Sequence, residues 1–156
     1  MKLKLGLMVM IVFLAGCATE YAPSHGGDGY SETQLSETSF QITFRGNTKT
    51  TPERAYDFAM LRAAEIAISK GRQFFKVSSL ASGDTGMAGA MINGAFIAKK
   101  KPEVALSIKL VENNASDDCL EASFVIKSIR AKYQMTSRGW TSPPYSDCTS
   151  IRRSPI

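Results

Sequence analysis

The chain has 156 residues, 19 basic against 14 acidic side chains, one histidine and three cysteines. That length accommodates one domain with its own core. A formal charge of +5 is too mild an excess to mark a nucleic-acid binder, and a lone histidine with scattered cysteines offers no metal-ligand spacing.

Met1-Lys2-Leu3-Lys4 opens the chain, and residues 5–15 are apolar. Two lysines, a short greasy core and small residues before a cut make up a secretory signal, here residues 1–16. The apolar run is about half the ~20 residues that a transmembrane helix needs. Leu14-Ala15-Gly16-Cys17 resembles the lipobox of bacterial lipoproteins. The resemblance implies a lipid on the Cys17 sulfur, cleavage before it and acylation of the new amino end. Ala18 at the next position implies export to the outer membrane, since the usual retention signal there is aspartate. The implied chain starts at Cys17, loses Lys2 and Lys4, and carries a formal charge of +3.

Two thiols then remain, Cys119 and Cys148. In an oxidising compartment such a pair is expected to join, a closure worth about 3.5 kcal/mol in the chain-entropy model. Residues 17–38 are poor in apolar side chains and carry Pro23, Gly26, Gly27 and Gly29, which predicts a flexible lipidated tether, with Gly29-Tyr30-Ser31-Glu32 as its exception and Tyr30 as a local docking residue. His25 falls within it, where a general base would have neither partner nor pocket.

Phe40, Ile42 and Phe44 alternate with polar residues, as in a half-buried strand. Thr50 and Thr51 compete to cap a helix that runs to Lys70 and stops at Gly71. Its predicted inner arc carries Ala55, Tyr56, Ala59, Met60, Ala63, Ile66 and Ala67, while Arg54, Arg62, Glu65 and Ser69 gather opposite. Arg62 and Glu65, one turn apart, read as an exposed ion pair. Residues 74–80 and 103–112 read as further strands. Asp118 and Glu121 have capping-box spacing ahead of a second helix with Ala122, Val125, Ile126, Ile129 and Tyr133 on one side. Residues 137–156 form an irregular tail. The expected fold is α+β: a three-stranded antiparallel-type sheet and two helices in the order β-α-β-β-α over residues 39–136.

The stretches "GYSETQLSETSFQITFRGN", "ERAYDFAMLRAAEIAISKG" and "FFKV" resemble a family of small proteobacterial lipoproteins. Its shared features are Gly-Tyr-Ser after the tether, a Phe-x-Gly-Asn strand end and an Arg-Ala-Ala-Glu helix. The likeness covers residues 29–77, with weaker agreement at "SIRAKY". It implies a fold and an envelope location, and it supplies no catalytic residues. No phosphate-binding glycine loop follows a strand and no nucleophile elbow is present, so the expectation is a protein without enzymatic activity and without a cofactor beyond the covalent lipid.

Residues 86–98, "GMAGAMINGAFIA", depart from ordinary domain sequence. Gly86, Ala90, Gly94 and Ala98 recur every fourth position and would form a flat stripe on a helix. Lys99-Lys100-Lys101 follows, suited to lipid head groups. Three readings compete: cover for the domain's own core, a flap in the membrane interface, and a helix that docks a partner or a second copy. Docking is preferred over insertion, because the anchor already supplies membrane affinity. The functional expectation is an outer-membrane lipoprotein whose periplasm-facing domain binds another envelope protein, or alternatively a self-assembling envelope component.

Overall fold

The computed structural model describes residues 18–92, 95–112 and 118–135. Residues 1–17, Gly94, Cys148 and the predicted tail, 137–156, lie outside the described residues. The described elements are β1 (Gly29–Gln34), β2 (Ser39–Arg45), α1 (Pro52–Ser69), β3 (Phe74–Ile92), β4 (Ala95–Val111), β5 (Leu120–Glu121) and α2 (Ala122–Lys132). They form an α+β domain with two helices, as expected, but the expected three-stranded sheet is corrected to a five-stranded antiparallel one in the order β1-β2-β4-β3-β5, because the edge strand β1 and the two-residue β5 carry no apolar alternation.

Alternation dictates the sheet's centre. Phe40, Ile42 and Phe44 of β2 and Val104, Leu106, Ile108 and Leu110 of β4 all face one buried layer. They are cross-strand neighbours, Ile42 opposite Leu106 and Phe44 opposite Val104, so the core side chains pack in registered pairs. β1 pairs with β2 from Gly29↔Arg45 to Gln34↔Phe40. This corrects the reading of 29–34 as tether: the segment is an edge strand whose last four residues are exposed, which is why it shows no hydrophobic alternation.

α1 lies over this layer. Thr51 is its N-cap, accepting from the Arg54 N–H at 3.1 Å, with Pro52 at the first helical position. Thr50 is free for a different task, described below. Ala55, Ala59, Ala63, Ala64 and Ala67 are completely buried, and their short side chains bring the helix axis close to the sheet. The helix ends in a Schellman arrangement: Arg72 N–H donates to Ala67 O and Gly71 N–H to Ile68 O, both at 2.9 Å, with Gly71 at φ +69°. α2 closes in the same way, Met135 N–H to Arg130 O at 2.9 Å, but with Gln134 at φ +53°.

Two helical expectations need correction. Tyr56, placed on the predicted inner arc, is exposed, and Phe58, which that arc leaves out, is buried. The reason is that Phe58 is roofed by three rings, those of Tyr21, Phe44 and Tyr133, at centroid distances of 5.5, 5.3 and 5.0 Å. Asp118 does not cap α2; its carboxylate pairs with Lys76 at 3.1 Å. Leu120 and Glu121 first pair with Phe75 and Phe74 as β5, and Glu121 becomes the N-cap position.

Candidate functional site

Two features give the domain a surface that a plain two-layer fold lacks: an arm and a docked leader. They start at the same end of the sheet.

The arm is made by β3 and β4. β2 accompanies β4 only from Lys109 to Glu103, and β5 accompanies β3 only at Phe74 and Phe75. Beyond those positions the two long strands continue alone. After a register irregularity between Asp84 and Met87 they pair from Met87↔Lys100 to Ile92↔Ala95. Gly86 and Ala90 therefore lie in β3 and Ala98 in β4, which corrects the helical stripe. The four-residue recurrence of small side chains is incidental. The decisive signal is Asn93-Gly94 between two apolar runs, the strongest two-residue hairpin dipeptide. No other described strand flanks the arm, so the outer backbone edges of both its strands are unpaired among the described residues. Met91, near its far end, is 67 % exposed.

The foot of the arm carries paired charges. Lys100 meets Asp84 at 3.2 Å, Lys101 meets Asp28 at 3.3 Å, and Arg45 meets Glu103 at 2.8 Å. A shallow depression of about 240 Å³ lies there against Ala81, Gly83, Glu103 and Ala105. It is smaller than ordinary small-molecule sites, and its two carboxylates, Asp84 and Glu103, already have cationic partners.

The leader is residues 18–28. It was expected to be a free spacer, and the structure corrects this. Thr19 is buried; its N–H donates to Thr50 Oγ1 at 3.1 Å, and its hydroxyl accepts from Asn47 N–H at 2.7 Å. Thr50 Oγ1 in turn donates to Asn47 Oδ1 at 3.1 Å, so the threonine that lost the helix cap holds the leader instead. Ser24 N–H donates to Tyr30 O at 2.7 Å and Tyr30 N–H to Ala22 O at 2.9 Å. Gly29, at φ +120°, brings its Cα so near Ala22 that an added Cβ would stand 2.6 Å from the Ala22 carbonyl oxygen. Exposed His25 sits in the loop between these contacts.

Tyr21 fastens the leader most firmly. Its ring stacks at 4.8 Å on Tyr30 and meets the edge of Phe58, and its hydroxyl donates to Glu65 Oε2 at 2.5 Å. Burial first, and the Glu65 carboxylate second, hold the Tyr21 phenol well above its ordinary range. Glu65 also takes Arg130 at 2.8 Å and Arg62 at 3.3 Å. Arg62 grips Glu32 of β1 through two nitrogens at 2.5 and 2.6 Å and lies 4.7 Å over the Tyr30 ring. The fork on Glu32 raises the Arg62 guanidinium further above its ordinary value. The predicted Arg62–Glu65 pair is thus part of a network that joins leader, β1, α1 and α2. A second cluster closes the helix pair: Asp57 accepts from the Tyr133 hydroxyl and from Lys132, both at 2.7 Å. Burial and Asp57 push the Tyr133 phenol up to about 12.

No family model matches the chain, and no curated protein or solved structure does either. The geometry therefore has to speak alone. Of the site residues read from sequence, Cys119 is half-buried just ahead of β5. Its expected disulfide partner Cys148, like Cys17 and Gly94, lies outside the described residues. No group of three or more His, Cys, Asp or Glu among the described residues is placed to hold a metal. No described helix is long and apolar enough to cross a membrane. What sequence reasoning missed is the leader's attachment. It rests on the single residues Thr19 and Tyr21, and no periodic pattern announces them.

Proposed function

We propose that this chain is a non-enzymatic outer-membrane lipoprotein, anchored through a lipid on Cys17, whose periplasm-facing domain binds another envelope protein. The lipobox-like Leu14-Ala15-Gly16-Cys17 supports the anchor. The observation that carries the binding half is the arm: a two-stranded ribbon of mostly apolar sequence runs on past the neighbouring strands, with both its outer backbone edges unpaired among the described residues. An isolated two-stranded hairpin is marginal in water, and unpaired strand edges are templates for strand addition by a partner. Confinement of both proteins to one membrane would raise their effective concentration with no further contact.

A second reading uses the same edges between copies of this chain, giving a self-assembling envelope component. Photo-crosslinking in intact cells from a reactive residue at Ala88 or Ile97 separates the two. One discrete heterologous adduct supports partner binding, and a ladder of multiples of this chain supports self-assembly. Neither product from either position would remove the arm as a binding element.

A further inference from the structure

The leader and the arm share one end of the sheet, and this has a geometric consequence. β4 passes Glu103, opposite Arg45 of β2, and Pro102, whose carbonyl accepts from Gly46 N–H at 2.8 Å. Asn47 and Thr50, the next residues along the loop, hold Thr19. Ala18 is therefore seated at the level where the arm leaves the sheet, and Cys17 immediately precedes Ala18 in the chain, one peptide spacing of about 3.8 Å between Cα atoms. The turn between β1 and β2, with exposed Leu35, lies at the other end, where Leu110 N–H donates to Thr38 O.

From this we infer that the arm contacts the lipid bilayer: its apolar end enters the head-group layer of the membrane that holds Cys17, with Lys99 and Lys100 at the level of the phosphates and Lys101 kept by Asp28 of the leader. The inference rests on the lipid-anchor part of the reading above. A lipid on Cys17 cannot swing the domain freely, because Thr19 and Tyr21 bind the leader to it within four residues. The end of the sheet that faces the bilayer is thereby fixed, and it is the end that bears the arm. The ribbon's composition suits that position. The four pairs from Gly89↔Ala98 to Ile92↔Ala95 contain no polar side chain and extend about 10–14 Å at strand spacing. Lysines begin directly behind them, at Lys99 opposite Ala88 and Lys100 opposite Met87. Lys100, 69 % exposed, is held by Asp84 only in an exposed pair, which competes weakly with a phosphate. The depth is limited. Unpaired strand edges are not tolerated in hydrocarbon, so the tip stops near the boundary of head groups and acyl chains, about 5–10 Å in. The edges nearer the foot of the arm, unpaired among the described residues, remain available to a protein partner at the membrane surface.

The test places single tryptophans in the mature, lipid-bearing chain reconstituted into phosphatidylethanolamine and phosphatidylglycerol vesicles. Emission is compared with that of the parent chain, whose Trp140 sets the background. Met91→Trp should emit blue-shifted and be quenched by lipids brominated near the top of the acyl chain. Leu35→Trp should emit as in water and be unaffected. Both sites are exposed, and circular dichroism of each variant checks the fold. Loss of quenching at Met91→Trp, or equal quenching at both positions, overturns the inference. So does a blue shift at Met91→Trp that is insensitive to brominated lipid and accompanied by dimer formation, because a second copy would then cover the tip. The mass of the same preparation reports the lipid separately, so failure of the anchor and failure of the arm are read on different measurements.

Discussion

Tyr21→Phe removes one oxygen from the leader and leaves the ring stack on Tyr30 and Phe58 in place. The lost bond is a charge-assisted one to Glu65, a class worth about 1.5–3 kcal/mol. Glu65 keeps Arg62 and Arg130, so its carboxylate is not orphaned, and the loss should fall at the lower end, about 1.5–2 kcal/mol. Tyr21→Ala also removes a half-buried ring. Full aromatic truncations cost about 3–5 kcal/mol, and the partial exposure of Tyr21 brings the expected total to about 2–4 kcal/mol. Urea unfolding of the protein in mild detergent measures both, with the midpoint expected to fall and the slope to stay unchanged. Hydrogen exchange at Thr19 and Ser24 should speed up in Tyr21→Ala while the exchange of β4 follows only the global change. A loss below about 0.5 kcal/mol for Tyr21→Ala, the size of an ordinary surface change, would refute the docking of the leader and with it the fixed orientation of the domain.

Phe58→Ala, which empties a completely buried site beneath three rings, should cost about 3–5 kcal/mol in the same unfolding assay; Tyr56→Ala, on the exposed side, should fall within about 0.5 kcal/mol of the parent. Gly29→Ala combines a left-handed φ with a 2.6 Å clash on the Ala22 carbonyl and should cost clearly more than Gly71→Ala, where φ is +69° and the added Cβ meets nothing, a backbone-only cost of about 1–2 kcal/mol. Above the ordinary tyrosine range the protein should lose stability as pH rises. The folded state holds the Tyr21 and Tyr133 protons more tightly than the unfolded chain, so their contribution is whole below pH ~10 and declines from there through about pH 12. Tyr133→Phe should flatten part of that decline in urea unfolding followed across the range, and an unchanged slope would contradict the Asp57 contact.

The parts of the fold legible in the sequence are those governed by periodicity. Phe40, Ile42 and Phe44, the 104–110 alternation and the alanine-rich face of α1 each repeat with the period of their element, and each lies where that period puts it. β1 is hidden in the sequence because an edge strand with one neighbour, covered only at Tyr30 and exposed over its last four residues, needs no apolar alternation. The leader was hidden because glycine and proline there read as a spacer, while its attachment depends on long-range hydrogen bonds from Thr19 and Tyr21 across 31 and 44 residues. Thr50 and Thr51 were both plausible caps. Thr51 wins because Thr50 is committed to Thr19 and Asn47. In residues 86–98 two local signals conflict, a small residue every fourth position and an Asn-Gly dipeptide, and the extended pairing of 87–92 with 95–100 decides against the helix. The consequence for function is large: a helix stripe would have offered one flat face, whereas the ribbon offers two edges that are unpaired among the described residues.

Lipid on the Cys17 sulfur is the claim from which location, orientation and the bilayer contact all descend. Intact-mass measurement of the mature protein, beside a Cys17→Ser variant, tests it most directly. The mature chain should begin at Cys17 and carry the added mass of acyl chains, and the serine variant should remain uncleaved and unlipidated. A mature chain of unmodified mass, or a serine variant processed at the same bond and still held in the membrane fraction, would contradict it.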